Sequence, residues 1–304
     1  MADIPLVPVA EARARILSAL RPTEAERVPL ARARGRVLAG DVIARRTQPP
    51  ADLSAMDGYA LRAADLASIP ARLRVVGAAP AGGAYEGIVG AGEAVRIFTG
   101  APLPEGADSV VMQEDTERDG GDVIVREAVP RGHHVRLTGS DFREGEAGLD
   151  AGRRLSFADI AFAAGMNLPD LPVLRRPRFA FFSTGDELVR PGETPGPNQI
   201  ASTNNDGIAA LIEEAGAIPL DLGIIPDDSE AIRAAARRAR EADMLVTLGG
   251  ASVGEHDLVQ GALAADGLEI DFWRIAMRPG KPLMFGHYAG IPMIGLPGNP
   301  VSAF

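Results

Sequence analysis

From about residue 176 onward, apolar residues fall in short, near-continuous runs separated by segments of helical period. Residues 179–182, 218–225, 243–248 and 291–296 read as strands buried on both faces, because a strand with one wet face would alternate. Between them, a helix is expected from Asn204 or Asn205, either of which suits an N-cap, through Ala215, with Gly216 at the position just beyond its end. Two further helices are expected over 229–242 and 258–265. This alternation of strand and helix predicts an α/β domain built on a doubly wound parallel sheet with right-handed crossovers. In such sheets ligands sit at the carboxyl ends of the strands.

Earlier in the chain the pattern differs. Residues 8–20 place Val9, Ala12, Ile16, Leu17 and Leu20 on one side of a helix that Pro22 ends. A second short helix is expected over 30–38. From Asp41 short apolar runs at 73–76, 94–98, 109–112 and 122–125 are divided by Gly and Pro, the mark of a small β-rich module. Helical spacing returns over 155–166. The expected organisation is a discontinuous helical/β N-terminal domain (1–42 and 142–175), an inserted β-rich module (43–141) and an α/β domain (176–304). Asn299 reads as an N-cap, so the sequence stops at Phe304 within the first turns of a helix, which suggests a C-terminally truncated chain.

Composition narrows the chemistry. With 31 Lys+Arg against 41 Asp+Glu the net charge is −10, which argues against nucleic acid as a partner. No run is apolar enough to span a membrane, and residues 1–5 lack the basic and apolar regions of a signal peptide, so a cytoplasmic enzyme is expected. There is no Cys, which removes disulfides, thiolate metal sites and thiol nucleophiles.

The strongest single motif runs from Leu248 to Asp257. A Gly-rich turn (Gly249, Gly250, then Ser252 and Gly254) leaves a buried strand, and its N–H groups suit an anion. Asp257 sets a carboxylate beside that anion, which is awkward unless a cation such as Mg²⁺ lies between them. Thr184, Gly185, Asp186 and Glu187 follow another strand and read either as a phosphate-facing turn or as an ordinary turn with solvated acids. Asp227 and Asp228 follow a third strand; one acid there can cap the next helix while the other approaches a ligand. Arg278, Pro279, Gly280 and Lys281 place two cations on a proline-pinned turn suited to an oxyanion. Pro297, Gly298 and Asn299 form a further strand-to-helix turn, weak alone because Pro-Gly and Asn-Pro are common turn pairs. Asp57, Thr99 and Asp141 lie in polar loops of the β-rich module that read as turns without further context. His133 and His134 read as a surface pair, and no second His stands at ligand spacing.

Taken in order, SAMDGYA at 54–60, FTGAPLP at 98–104, GSDFREG at 139–145, STGDEL at 183–188, the acids 227–228, GGASVGEHD at 249–257, MRPGKP at 277–282 and GLPGNPVSA at 295–303 resemble the MoeA family, molybdopterin molybdenumtransferases related to the gephyrin E domain. The resemblance covers nearly the whole chain. It implies an α/β domain of the MoaB/MogA-like kind, and an N-terminal domain that mediates dimerisation. The family normally continues into a C-terminal β domain, which is absent here, and often has Lys where Arg278 stands.

The function so implied is Mg²⁺-dependent insertion of molybdate into adenylylated molybdopterin with release of AMP, in molybdenum cofactor biosynthesis. The implied assembly is a homodimer in transient contact with the molybdopterin adenylyltransferase. Asp57, Thr99 and Asp141 would come from one subunit, and Glu187, Asp227, Asp228, Asp257, Arg278 and Lys281 from its partner, with Asp227, Asp228 and Asp257 as metal ligands. Adenylyl transfer itself is the first alternative, although its glycine loop usually reads closer to Gly-Gly-Thr-Gly. A non-catalytic gephyrin-like scaffold, which would not need the whole set of acids and cations, is the second. A nucleotide hydrolase sharing only the α/β domain is a third, against which the N-terminal half argues.

Overall fold

The structure is a computed structural model that describes residues 6–250 and 258–304. The chain forms two units, one made of Arg27–Val173 and the other of the segments before and after it, up to Glu26 and from Leu174 to Phe304. The first helix, α1 (Val9–Ala19), belongs to the latter unit. Ala12 is buried with Phe272, Ile275 and Phe285, while Ile16 and Ala19 pack at the edge of this cluster. Positions 12, 16 and 19 follow helical spacing. Val9 and Leu17, expected on the same stripe, remain 44% and 57% exposed. Residues 1–42, expected as one piece, thus divide their packing between the two units.

The inserted unit is built on a six-stranded sheet. Its strands are β1 (Gly58–Leu61), β2 (Ala71–Ala79), β3 (Glu93–Ile97), β4 (Ser109–Met112), β5 (Thr116–Asp119) and β6 (Asp122–Val125). They lie in the order β4-β1-β3-β2-β6-β5. Every pairing is antiparallel except β2 with β3. Both faces are covered, as the period of two shows: Tyr59, Leu61, Ala94 and Val111 join one apolar cluster, and Ala60, Val95 and Val110 join another. A third cluster draws on both flanks of the sheet segment, with Leu38, Val42 and Ala44 packed among Phe142, Leu149, Ala163 and Met166. The helix there, α2 (Phe157–Gly165), starts at a capping box in which the Ser156 hydroxyl and Asp159 bond each other's backbone N–H. The helix expected over 30–38 is shorter, only Leu30–Ala33, because Arg34 turns extended and Gly35 takes a positive φ.

The α/β unit carries the second six-stranded sheet. Its elements in chain order are β7 (Arg178–Thr184), α3 (Asn204–Glu214), β8 (Ile218–Ile225), α4 (Ser229–Arg238), β9 (Met244–Leu248), α5 (Leu258–Ala264), β10 (Leu268–Trp273), β11 (Met284–Tyr288), β12 (Ile291–Leu296) and α6 (Pro300–Ala303). The order is β8-β7-β9-β12-β11-β10. The strands β8, β7, β9 and β12 are parallel, as expected of a doubly wound domain. The antiparallel pair β10 and β11 extends the sheet at one edge. It is absent from the expected strands because β10 carries Glu269 and Asp271 in an exposed edge position.

Helices cover both faces. Phe182 and Leu245 pack with Ile232, Ala236 and Leu263 on one side, and Phe181 and Val246 with Ile208 and Ile212 on the other. Register brings the carboxyl ends of the parallel strands level, with Thr184 beside Ile225, Ser183 beside Leu248, and Leu248 beside Leu296. The turns that follow these strands therefore meet along one edge of the sheet. No helix among the described residues is long and apolar enough to cross a membrane.

Candidate active site

At that edge lies a cavity of about 490 Å³. Turns from all four parallel strands contribute to it: Thr184, Gly185 and Glu187 after β7, Asp227 after β8, Gly249 and Gly250 after β9, and Pro297 and Gly298 after β12. Residues 200–204 and Pro282 close its walls. Gly249 and Gly250 have φ values of 94° and 65°, which disfavour side chains. A Cβ at Gly250 would stand 2.4 Å from Val259 Cγ2, and one at Gly249 would stand 3.0 Å from the Thr184 carbonyl oxygen. The two glycines thus let the backbone line the cavity where any side chain would collide.

The acids gather at the β7 and β8 turns. The Asp227 N–H donates to Asp186 Oδ1 at 3.1 Å. Partial burial pushes the Asp227 carboxyl up from the usual carboxylate range, and the charges of Asp186 and Glu187 add to this. Asp227, Asp186 and Glu187 therefore share one field, while Asp228 turns to a different task. Its Oδ1 accepts from the Glu230 and Ala231 N–H groups and caps α4. The acid grouped with Asp227 is Asp186, not Asp228 as expected for a metal ligand. Among the described residues, no three His, Cys, Asp or Glu side chains come together in a group that could hold a metal ion.

The cationic turn sits beside the last helix. Its base is closed by bonds from the Ile275 N–H to the Lys281 carbonyl (3.0 Å) and from the Arg274 N–H to the Leu283 carbonyl (3.1 Å). Gly280 is buried with φ 98°, and a Cβ there would stand 3.4 Å from the Ser302 carbonyl oxygen. Arg278, Pro279 and Lys281 are exposed. Neither cation makes an ion pair among the described residues, whereas Arg136, Arg175 and Arg237 each do. Asn299 caps α6 by accepting from the Val301 N–H at 3.0 Å. The expected site residues Ser252, Gly254 and Asp257 lie outside the described residues.

In the inserted unit, Asp57 and Thr99 form one hydrogen-bonded pair. Asp57 Oδ1 accepts from the Thr99 N–H at 2.8 Å and from its hydroxyl at 2.7 Å. These two bonds, with the Arg96 charge behind them, hold the Asp57 carboxyl below the usual range. Asp141 stands apart from that pair and is held by Arg136 Nη2 at 2.8 Å.

Reasoning from sequence missed Asn204 and Ser202 as cavity residues. Asn204 or Asn205 was expected to cap α3, but Thr203 occupies that position and its side chain makes no capping bond. Both asparagines are instead buried and bonded to other segments. The adjacent run Ser202-Thr203-Asn204-Asn205 was the available signal, since one cap needs only one such side chain.

Two comparisons now define the class. Residues 180–304 match the probable molybdopterin binding domain, and residues 7–166 match the MoeA N-terminal region, domains I and II. The chain is 40% identical over 287 residues to a molybdopterin molybdenumtransferase of Nostoc sp., spanning 92% of this chain and 66% of that one. It is 37% identical to that of Haemophilus influenzae, covering 96% and 73%. The crystal structure of a molybdopterin biosynthesis MoeA protein from Pyrococcus horikoshii superposes with a TM-score of 0.85 at 31% identity, covering 99% of this chain and 76% of that one. The chain thus spans about two thirds to three quarters of these relatives. It belongs to the MoeA family of molybdopterin molybdenumtransferases, enzymes of molybdenum cofactor biosynthesis.

Proposed function

We propose that the cavity of the α/β unit binds adenylylated molybdopterin, and that the chain inserts molybdate at its dithiolene sulfurs while AMP is released. The observation that carries this reading is the meeting of glycine turns and clustered carboxylates at one edge of the sheet, where Pro282, next to Lys281, also lines the cavity. The Gly249–Gly250 turn offers backbone N–H groups to a phosphate. Arg278 and Lys281 attract oxyanions, molybdate or phosphate, and have no ion pair among the described residues to break. Dithiolene sulfur reaches molybdenum from the substrate, so a chain without Cys is no obstacle.

The donor set fits Mg²⁺. This cation is usually held by one or two carboxylates and completed by substrate phosphates and water, so a partial shell is the expected form. Asp227 and Asp186 would hold it, with Glu187 nearby and Asp257 as a further candidate ligand. Bound there, Mg²⁺ supplies charge neutralisation for the phosphate that leaves. Asp57, kept ionised by Thr99, orients a hydrogen-bond donor of the substrate or of attacking water. Asp141 on Arg136 serves as a second fixed carboxylate.

The active assembly in this reading is a homodimer in the cytoplasm that takes its substrate from the molybdopterin adenylyltransferase. The test is molybdate-dependent release of AMP from adenylylated molybdopterin with Mg²⁺. Consumption of ATP with unmodified molybdopterin would instead assign adenylyl transfer. Neither reaction, with no ligand bound, would leave the scaffold.

A further inference from the structure

We infer that Asn204 is a positioning residue: it sets the spacing between two walls of the cavity and thereby the affinity for the adenylylated pterin. The affinity part rests on the function proposed above. Asn204 opens α3 and is only 7% exposed. It does not cap its own helix. Its Nδ2 donates at 2.8 Å to the carbonyl of Gly298, 94 positions away in the chain. Gly298 in turn lies against the other glycine turn, since a Cβ there would stand 3.5 Å from Gly249 Cα. The Gly249 N–H also donates to the Leu296 carbonyl at 3.0 Å. One amide thus tethers the helix start to the 296–298 turn, and that turn abuts Gly249.

The tether has a fixed anchor. Asn205, 3% exposed, accepts from the hydroxyls of Ser183 and Ser202 and donates to Asp221 Oδ1 at 3.1 Å. Those partners lie on β7, on the strand-to-helix connection and on β8. The start of α3 is therefore pinned to two neighbouring strands of the sheet, and the bond from Asn204 transmits that fixed position across the cavity. The adjacent asparagines divide the work: one anchors and the other reaches.

The experiment compares the parent chain with Asn204→Asp and Asn204→Ala. Aspartate keeps the shape but turns a donor into an acceptor facing a carbonyl, and alanine removes the donor from that carbonyl. Two readouts are taken: amide hydrogen exchange over 296–304 without ligand, and the dissociation constant for adenylylated molybdopterin. Both variants are expected to speed exchange in 296–304 while peptides over 178–184 and 208–214 keep parental rates. Affinity is expected to fall about tenfold with the turnover number of bound substrate near parental.

Parental exchange over 296–304 in a folded variant overturns the inference, whatever the affinity. Exchange accelerated equally everywhere also overturns it, since that marks general loss of stability. If Asn204→Asp does not fold, Asn204→Ala alone decides. Local acceleration in a chain whose parent binds no adenylylated molybdopterin upholds the positioning role and removes the substrate reading.

Discussion

Partial burial, with the charges of Asp186 and Glu187, disfavours the ionised form of Asp227. An acid whose folded pKa is raised weakens the fold once pH climbs above that value, and does no harm below the ordinary carboxylate range. Asp227→Asn is therefore expected to raise the thermal midpoint at pH 7, to lose that gain below about pH 4, and to abolish AMP release. Scanning calorimetry across pH reads the first two. A midpoint at pH 7 equal to or below the parent's would show that the repulsion is already relieved. Gly250→Ala tests the cavity lining in the opposite direction. The left-handed backbone and the overlap with Val259 should together cost about 2 kcal/mol, measured by equilibrium urea unfolding. At this scale the sequence made the glycines legible, because two of them after a buried strand have few other uses. It did not make the asparagines legible, because a cap and a long-range tether use the same side chain.

Among the elements, α4 shows the two acids at a strand end dividing their tasks as the sequence allowed, with Asp228 spending its Oδ1 on two N–H groups of the helix. Asp228→Ala should cost about 1 kcal/mol of stability and leave the dissociation constant for adenylylated molybdopterin within a factor of about two. A loss of binding of about tenfold or more would return Asp228 to the ligand set. The parallel strands were readable because burial on both faces forces uniform apolar runs. The pair β10 and β11 was not, since an edge strand with Glu269 and Asp271 outward has the polarity of a loop. The same reasoning explains α1: composition gave a five-residue apolar stripe, but only positions on the side toward Phe272 and Phe285 found a partner.

For the whole molecule, the proposed function requires a chain of net charge −10 to draw an anionic substrate to a small cationic turn. Lys281→Ala should raise KM at low ionic strength and differ less from the parent as salt is added, since screening already weakens that attraction. Parallel salt profiles would deny Lys281 a role in capture. The proposed homodimer is testable by complementation. Asp57→Ala and Asp227→Ala should each be inactive alone, and mixed after subunit exchange they should recover activity if each site draws on two subunits. No recovery from a mixture shown by sedimentation to exchange would place all these residues in one chain's site.

The way one unit interrupts the other also bears on how the polypeptide is made. The α1 residue Arg15 bonds Asp271, 256 positions later, and the Ala276 N–H donates to the carbonyl of Val7. The residues of α1 therefore wait until the segment around Asp271 has been made, while Arg27–Val173 holds its own apolar clusters and can condense in the interval. Closing so long a loop is entropically slow. During that wait the apolar side of α1 has no cover, so synthesis itself exposes this chain to misassociation that the finished fold conceals.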